Sequence, residues 1–193
     1  ATDKWKGKVL VRSSTHLYNQ SLLASFISLY GEEKTREWAK GIVANMARDP
    51  EGGDRDQAKA VVAGIGDIAI MNTYYVGQLS VSENPEEVKV AEQVGVFFPN
   101  QDTTGTHVNV SGAGLVKYSK NKENAVKLVE FLTNEQSQTT FSAENFEFPA
   151  NPNAELPELL KSWGEFKTQE LDFAALGEYN GKAVEIMNEA GWK

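Results

Sequence analysis

Cysteine is absent from the 193 residues, which excludes disulfides, thiolate zinc sites, iron–sulfur clusters and cysteine nucleophiles. That absence suits an oxidising compartment as well as a reducing one. Histidine is nearly missing: His16 and His107 are the only two, far apart and without metal-ligand spacing. Basic charge is in deficit, with 19 Lys and Arg against 27 Asp and Glu and a net charge of -8. Nucleic acid and anionic membrane surfaces are therefore disfavoured as partners, whereas cations are not repelled. No apolar run approaches the roughly 20 residues of a membrane-spanning helix. The opening Ala1–Gly7 shows no secretory leader and reads as a linker entering a strand from something upstream.

Catalytic and nucleotide signatures are lacking too. Neither G-x-S-x-G nor a Ser-x-x-Lys context occurs. Gly112-Ala113-Gly114 has no third glycine at Lys117, and Gly52-Gly53 lacks the Lys-Ser/Thr of a phosphate-binding loop. With no acid–base or nucleophile constellation, an enzyme is the least favoured class.

What is present is an ordinary globular composition, 40% hydrophobic and 10% aromatic, long enough for one large domain or two small ones. Lys8–Arg12 is a strand candidate ended by Ser13-Ser14-Thr15-His16. Asn19 or Ser21 then caps a helix carrying Leu22, Leu23, Phe26, Ile27 and Tyr30, stopped by Gly31. Glu32–Met46 repeats Trp38, Ile42 and Met46 on one helical face. A turn at Asp49–Asp54 leads to a third helix over Asp56–Ala63, closed by Gly64 and Gly66. Ile68–Met71 reads as a short buried strand, Val76–Val81 and Pro85–Gln93 as helices, and Val94–Phe98 as a strand stopped by Pro99. His107–Val116, with Ser111, Gly112 and Gly114, suggests a bent or crossover strand. Asn121–Thr133 is an amphipathic helix with Ala125, Leu128, Val129 and Leu132 on one side, followed by a shorter one over Glu135–Ser142. Pro149, Pro152 and Pro157 mark an extended connector, and short helices follow around Leu159 and over Lys182–Ala190. Strands alternating with helices and glycine-rich punctuation predict an α/β fold.

The stretch Asp67–Tyr75 organises the rest. If its strand continued, Tyr74 and Tyr75 would point to opposite faces, one into the core and one to the surface. If Asn72-Thr73 turns into a helix, both phenols converge beyond the strand's carboxyl end, where open α/β sheets place ligands. Tyr18 follows the first strand in the same way. Ser13, Ser14 and Asn19 beside one loop, and Asn72 and Thr73 beside the other, are placed to orient the phenols. Neutral phenols, with pKa about 10, make a poor cation site, but a hard trivalent cation inverts that logic by stabilising phenolate oxygen. Spacing alone leaves both readings open.

Several segments together resemble the periplasmic ferric-ion-binding proteins of bacterial ABC importers. They are Val9–Ser14 with Tyr18–Ser21, Pro50-Glu51-Gly52-Gly53-Asp54, Asn72-Thr73-Tyr74-Tyr75, Val96–Gln101 and Gly105–Gly112. The likeness runs along essentially the whole chain to Gly191-Trp192-Lys193 and is strongest to the tyrosine-only subgroup that includes cyanobacterial iron-uptake proteins. It implies an α/β, type II periplasmic-binding-protein-like fold, a periplasmic location, Fe3+ as cargo, delivery to the membrane permease of an ABC importer, and Tyr18, Tyr74 and Tyr75 as metal ligands. It also implies a synergistic anion such as carbonate, with Ser13, Ser14, Asn19, Asn72 and Thr73 near the anion or behind the ligands.

Family members carry a further stretch before the point where this sequence begins, supplying most of one lobe, more ligands and a basic residue for the anion. The resemblance therefore implies one nearly whole lobe plus part of the second, in a fragment, a processed product or an engineered truncation. The expected organisation is a metal-site lobe core over 1–97, hinge strands and a segment of the other lobe over 98–152, and C-terminal helices over 153–193 returning to the first lobe. Val108, Val110, Leu115 and Phe131 would then expose apolar surface and favour a domain-swapped dimer or a complex with the missing segment. An oxyanion- or organic-solute-binding lobe, and a folding or assembly fragment without binding, are the alternatives from other classes.

Overall fold

The computed structural model describes residues 1–193. After a 3-10 turn at Asp3–Trp5, the elements in chain order are β1 (Val9–Leu10), α1 (Leu17–Tyr30), α2 (Glu32–Asn45), α3 (Asp54–Val62), β2 (Ile68–Ala69), α4 (Tyr74–Ser80), α5 (Pro85–Gln93), α6 (Lys122–Thr133), α7 (Glu135–Asn145), α8 (Glu158–Ser162) and α9 (Ala174–Ala190). They divide into two compact units, one formed by 1–109 with 166–193 and the other by 110–165.

In the larger unit β1 and β2 pair in parallel, Val9 opposite Ile68 and Leu10 opposite Ala69, and Val9 also bridges Met46. Val9 and Val11 feed a core completed by Leu23, Ala24 and Ile27 of α1, Ala39 and Ile42 of α2, Ala183, Ile186 and Met187 of α9, and Trp192. Helices thus cover a small parallel sheet, as the alternating pattern requires. A second cluster of Ala58, Leu79 and Val90 joins α3, α4 and α5.

Several element boundaries differ from the sequence expectation, each for a local reason. α1 begins at Leu17 because His16 caps it, its Nδ1 accepting from the Tyr18 N–H at 3.4 Å. Asn19 and Ser21, the expected caps, lie inside the helix and are buried. Gly31, at φ 82°, ends α1 by donating to the Ile27 carbonyl and opens α2, whose first turn carries Glu32 and Glu33 as the helix dipole favours. α3 begins at Asp54, where Gly53 N–H is held by the Asp56 carboxylate at 2.7 Å. α9 starts at Ala174, well before Lys182, although Gly177 and Gly181 lower its helix propensity. Leu176 and Tyr179 pack against the core there, and tertiary packing overrides propensity.

Val94–Phe98 forms no strand. Its alternation is suitable, but no partner strand lies beside it and Phe97 is 84% exposed. His107–Val116 is likewise irregular; the pairing nearby is a bridge between Thr106 and Thr168. At that crossing the Thr106 N–H donates to the Lys167 carbonyl at 2.8 Å and the Gln169 N–H to the Thr106 carbonyl at 3.0 Å. Gly105 makes the approach possible: its φ is +84°, and a Cβ would stand 2.5 Å from the Thr168 carbonyl oxygen. Gly105→Ala is therefore expected to destabilise the protein by about 2 kcal/mol or more, read as a lower urea midpoint at unchanged slope. A midpoint within error of the parent would show that the crossing is loosely held.

In the smaller unit α6 packs against α7. α6 buries no residue fully: Ala125, Val129 and Leu132 are half-buried, while Val126, Leu128 and Phe131 are exposed. Val110, Leu115, Val116 and Tyr118 are exposed as well. Of the four residues expected to present apolar surface, Val110, Leu115 and Phe131 do so, whereas Val108, in the larger unit, is half-buried.

Candidate metal centre

Two parallel strands side by side leave their carboxyl ends at the same edge, so the chain departing from each meets its neighbour there. From β1 it runs through Arg12–His16 into α1; from β2 it runs through Asn72-Thr73 into α4. Tyr18 is the second residue of α1, and Tyr74 and Tyr75 are the first two of α4. The Tyr18 and Tyr74 phenol oxygens are 2.7 Å apart, a hydrogen bond across 56 residues of sequence. The Tyr74 and Tyr75 rings lie 4.2 Å apart between centroids at 31°. Of the two sequence alternatives, the turn into a helix is the one formed. Consecutive residues in a helix are about 100° apart instead of opposite, so adjacent tyrosines can share a side.

The surroundings of Tyr18 and Tyr74 favour their neutral form in the absence of a cation. Burial pushes Tyr74 well above the ordinary phenol range, with the contacts to Tyr18 and Tyr75 adding to it. For Tyr18 the hydrogen bond with Tyr74 pulls downward, but burial and the neighbouring Tyr75 prevail and the net direction is up. His16, whose ring lies 4.3 Å from that of Tyr18, is lowered by burial and by the charge of Arg12.

Two residues in contact with the phenol loops are not singled out by the sequence. Arg12 ion-pairs with Asp54, a carboxylate whose side chain is 1% exposed, and its guanidinium lies 5.5 Å over the Tyr18 ring. Burial lowers the Arg12 pKa, but Asp54 and the Tyr75 phenol more than offset it, and the net direction is up. The other Asp54 oxygen accepts the Asn72 N–H at 3.0 Å. The available signal was the position of both residues, Arg12 at the end of the strand-like Lys8–Arg12 run and Asp54 directly after Gly52-Gly53 at a helix start.

The expected supporting residues have distinct places. The Ser13 hydroxyl meets that of Thr15 at 2.9 Å. Ser14 is buried, its N–H donating to the Lys193 carbonyl at 2.9 Å. Asn19 donates from its amide to the Arg12 and Ser13 carbonyls at 2.9 and 3.1 Å, clamping the loop that leads to Tyr18. The Asn72 side chain accepts from Asn109 at 3.0 Å, and the Thr73 carbonyl accepts the Val76 N–H. His107 lies between Ser21 and Gln169, at 3.1 Å from each. No group of three or more His, Asp or Glu side chains is arranged to hold a metal ion. The convergent oxygen donors here are phenols.

A family model described as bacterial extracellular solute-binding protein matches residues 2–175. The chain belongs to that family. Among its relatives, Iron uptake protein A1 of Synechocystis sp. is 50% identical over 193 residues, which is 100% of this chain and 54% of that protein. The Major ferric iron-binding protein of Neisseria gonorrhoeae is 25% identical, over 100% of this chain and 56% of that one. A solved Trichodesmium structure in complex with iron and citrate ligands matches with TM-score 0.96 and 47% identity, covering 100% of this chain and 61% of that chain. The ferric binding protein from Campylobacter jejuni matches with TM-score 0.94 and 41% identity, again over 100% and 61%. The fold of this chain is that of the type II periplasmic binding proteins. It spans about half the length of the curated relatives it matches.

Proposed function

We propose that this chain binds ferric iron through the phenolate oxygens of Tyr18, Tyr74 and Tyr75, as part of the solute-binding component of an ABC importer. The observation that carries the reading is the 2.7 Å contact between phenols delivered by two separate loops at one sheet edge. Three phenolates supply three negative charges, matching a trivalent hard cation, and oxygen donors without thiolates select such ions. The iron is cargo, and the role is carriage with no chemical conversion. The reading places the protein in the periplasm, with a membrane permease as the receiver of its iron. In relatives nearly twice as long, a second lobe closing over the metal would add binding energy to the closed state. A synergistic anion such as carbonate would complete the coordination, with Ser13 and Asn72 beside the phenol loops as its polar neighbours.

Titration with chelated ferric iron, followed by visible absorbance, tests this directly. A coloured phenolate-to-iron band that saturates at one equivalent is the expected result. Absence of a band in a chain shown to be folded would refute a tyrosine site in this protein.

The smaller unit bears on the assembled state. Val110, Leu115, Val116, Val126, Leu128 and Phe131 are all exposed within one unit. Exposed apolar side chains at that density favour association, and a second copy of the chain, exchanging or pairing this unit, is the proposed partner. Sedimentation velocity should show a dimer; a sharp monomer boundary at tens of micromolar would overturn it.

A further inference from the structure

We propose that Asp54 and Arg12 are positioning residues of the phenol site, with the buried Asp54 carboxylate joining the two phenol-bearing loops and Arg12 holding the Tyr18 ring beneath its guanidinium. The consequence for iron rests on the ferric reading above; the geometry does not.

Asp54 belongs to neither loop. It opens α3, where the helix N-terminus favours a carboxylate. Each of its oxygens is taken by a different loop, Oδ2 by the Arg12 guanidinium after β1 and Oδ1 by the Asn72 N–H after β2. One loop leads to Tyr18 and the other to Tyr74 and Tyr75. A carboxylate this deeply buried is costly to keep charged unless both oxygens are satisfied, so its two bonds fix the spacing of the loops. With both oxygens engaged, Asp54 serves the site through the loops it holds.

Arg12 is constrained at both ends. Its carbonyl accepts from the Asn19 amide at 2.9 Å and from the Trp192 indole N–H at 2.9 Å, while its guanidinium pairs with Asp54 and lies over the Tyr18 ring. A planar guanidinium can make an in-plane ion pair and lie over an aromatic ring at once; a lysine ammonium is a point charge that cannot do both in the same geometry. Gly52 supports the arrangement from behind. At φ +70° it places the Asp56 carboxylate 2.6 Å from where a Cβ would be, leaving room only for hydrogen in the turn that delivers Asp54.

The test uses the chain carrying 13C at tyrosine Cζ, with Asp54→Asn and Arg12→Lys, read first without iron by NMR and then by ferric titration. In Asp54→Asn the Tyr18 and Tyr74 resonances should both move, and ferric affinity should fall roughly 10–100-fold, as for outer partners of metal ligands. Arg12→Lys keeps the positive charge but should not rescue: the Tyr18 resonance moves and the phenolate-to-iron band shifts. If Asp54→Asn fails to fold by circular dichroism, Arg12→Lys decides the matter, because Asp54 keeps a cationic partner there. Parent-like phenol resonances and an unshifted band in Arg12→Lys would overturn the proposal. If the parent chain takes up no iron, the ferric reading fails while the iron-free resonances still decide whether Asp54 and Arg12 position the phenols.

Discussion

Replacing Tyr74 and Tyr75 together by phenylalanine should abolish the ferric absorption band while leaving the fold in place. The substitution removes two phenol oxygens and keeps both rings, so the apolar contacts of the tilted ring pair survive. The Tyr18 hydroxyl loses its partner at 2.7 Å, a change of about 1 kcal/mol at a site that is only half-buried. Binding suffers far more. On the proposed reading one of three anionic donors remains, and a single phenolate cannot compete with water and chelator for a trivalent ion. The loss of affinity should exceed the roughly 10–100-fold that follows removal of an outer partner. Iron titration of parent and double variant at equal concentration, with circular dichroism on both, checks the expectation. Stoichiometric iron retained by a folded double variant would refute the assignment of these tyrosines.

The second large effect is on stability and comes from the other end of the chain. Trp192 is 2% exposed, packs into the main core and faces Trp38 at 6.4 Å between ring centroids. Its indole N–H donates to the Arg12 carbonyl at 2.9 Å, so the C-terminus helps fix the loop leading to Tyr18. Trp192→Ala should cost about 3–5 kcal/mol, a large share of the roughly 5–15 kcal/mol that stabilises a typical domain. Trp192→Phe keeps most of the bulk and loses the N–H. The Arg12 carbonyl still receives the Asn19 amide, so the cost of the missing hydrogen bond itself should be about 1 kcal/mol. Urea unfolding of both variants separates packing from hydrogen bonding. An alanine variant within 1 kcal/mol of the parent would show that the C-terminal segment is peripheral to the core.

The correspondence between pattern and structure divides along a physical line. Pro85–Gln93 was legible to its ends because Asn84 supplies the cap, Pro85 sits at the first helical position and Glu86 and Glu87 follow the dipole. Gly31 was legible as a stop because a positive φ there favours glycine. Val94–Phe98 departs from the strand expectation because alternation describes a strand's faces and says nothing about a partner along its edge. α1 was begun late because a histidine cap is a weaker signal than Asn19 or Ser21, whose side chains are used elsewhere. α4 was begun late because two tyrosines after Asn72-Thr73 carry no strong helix preference of their own.

The sequence by itself determined which donors are on offer: no thiols, two distant histidines, and tyrosines after two strand-like segments. It also determined the α/β class, since alternation of short apolar runs with helical periodicity leaves few other arrangements. Only the tertiary structure decided that Tyr18 and Tyr74 touch, because their separation of 56 residues closes through the parallel register of β1 with β2. It alone decided the partnership of Arg12 with Asp54. A buried ion pair is a property of two surfaces brought together out of water, and neither residue's neighbours in sequence carry that information.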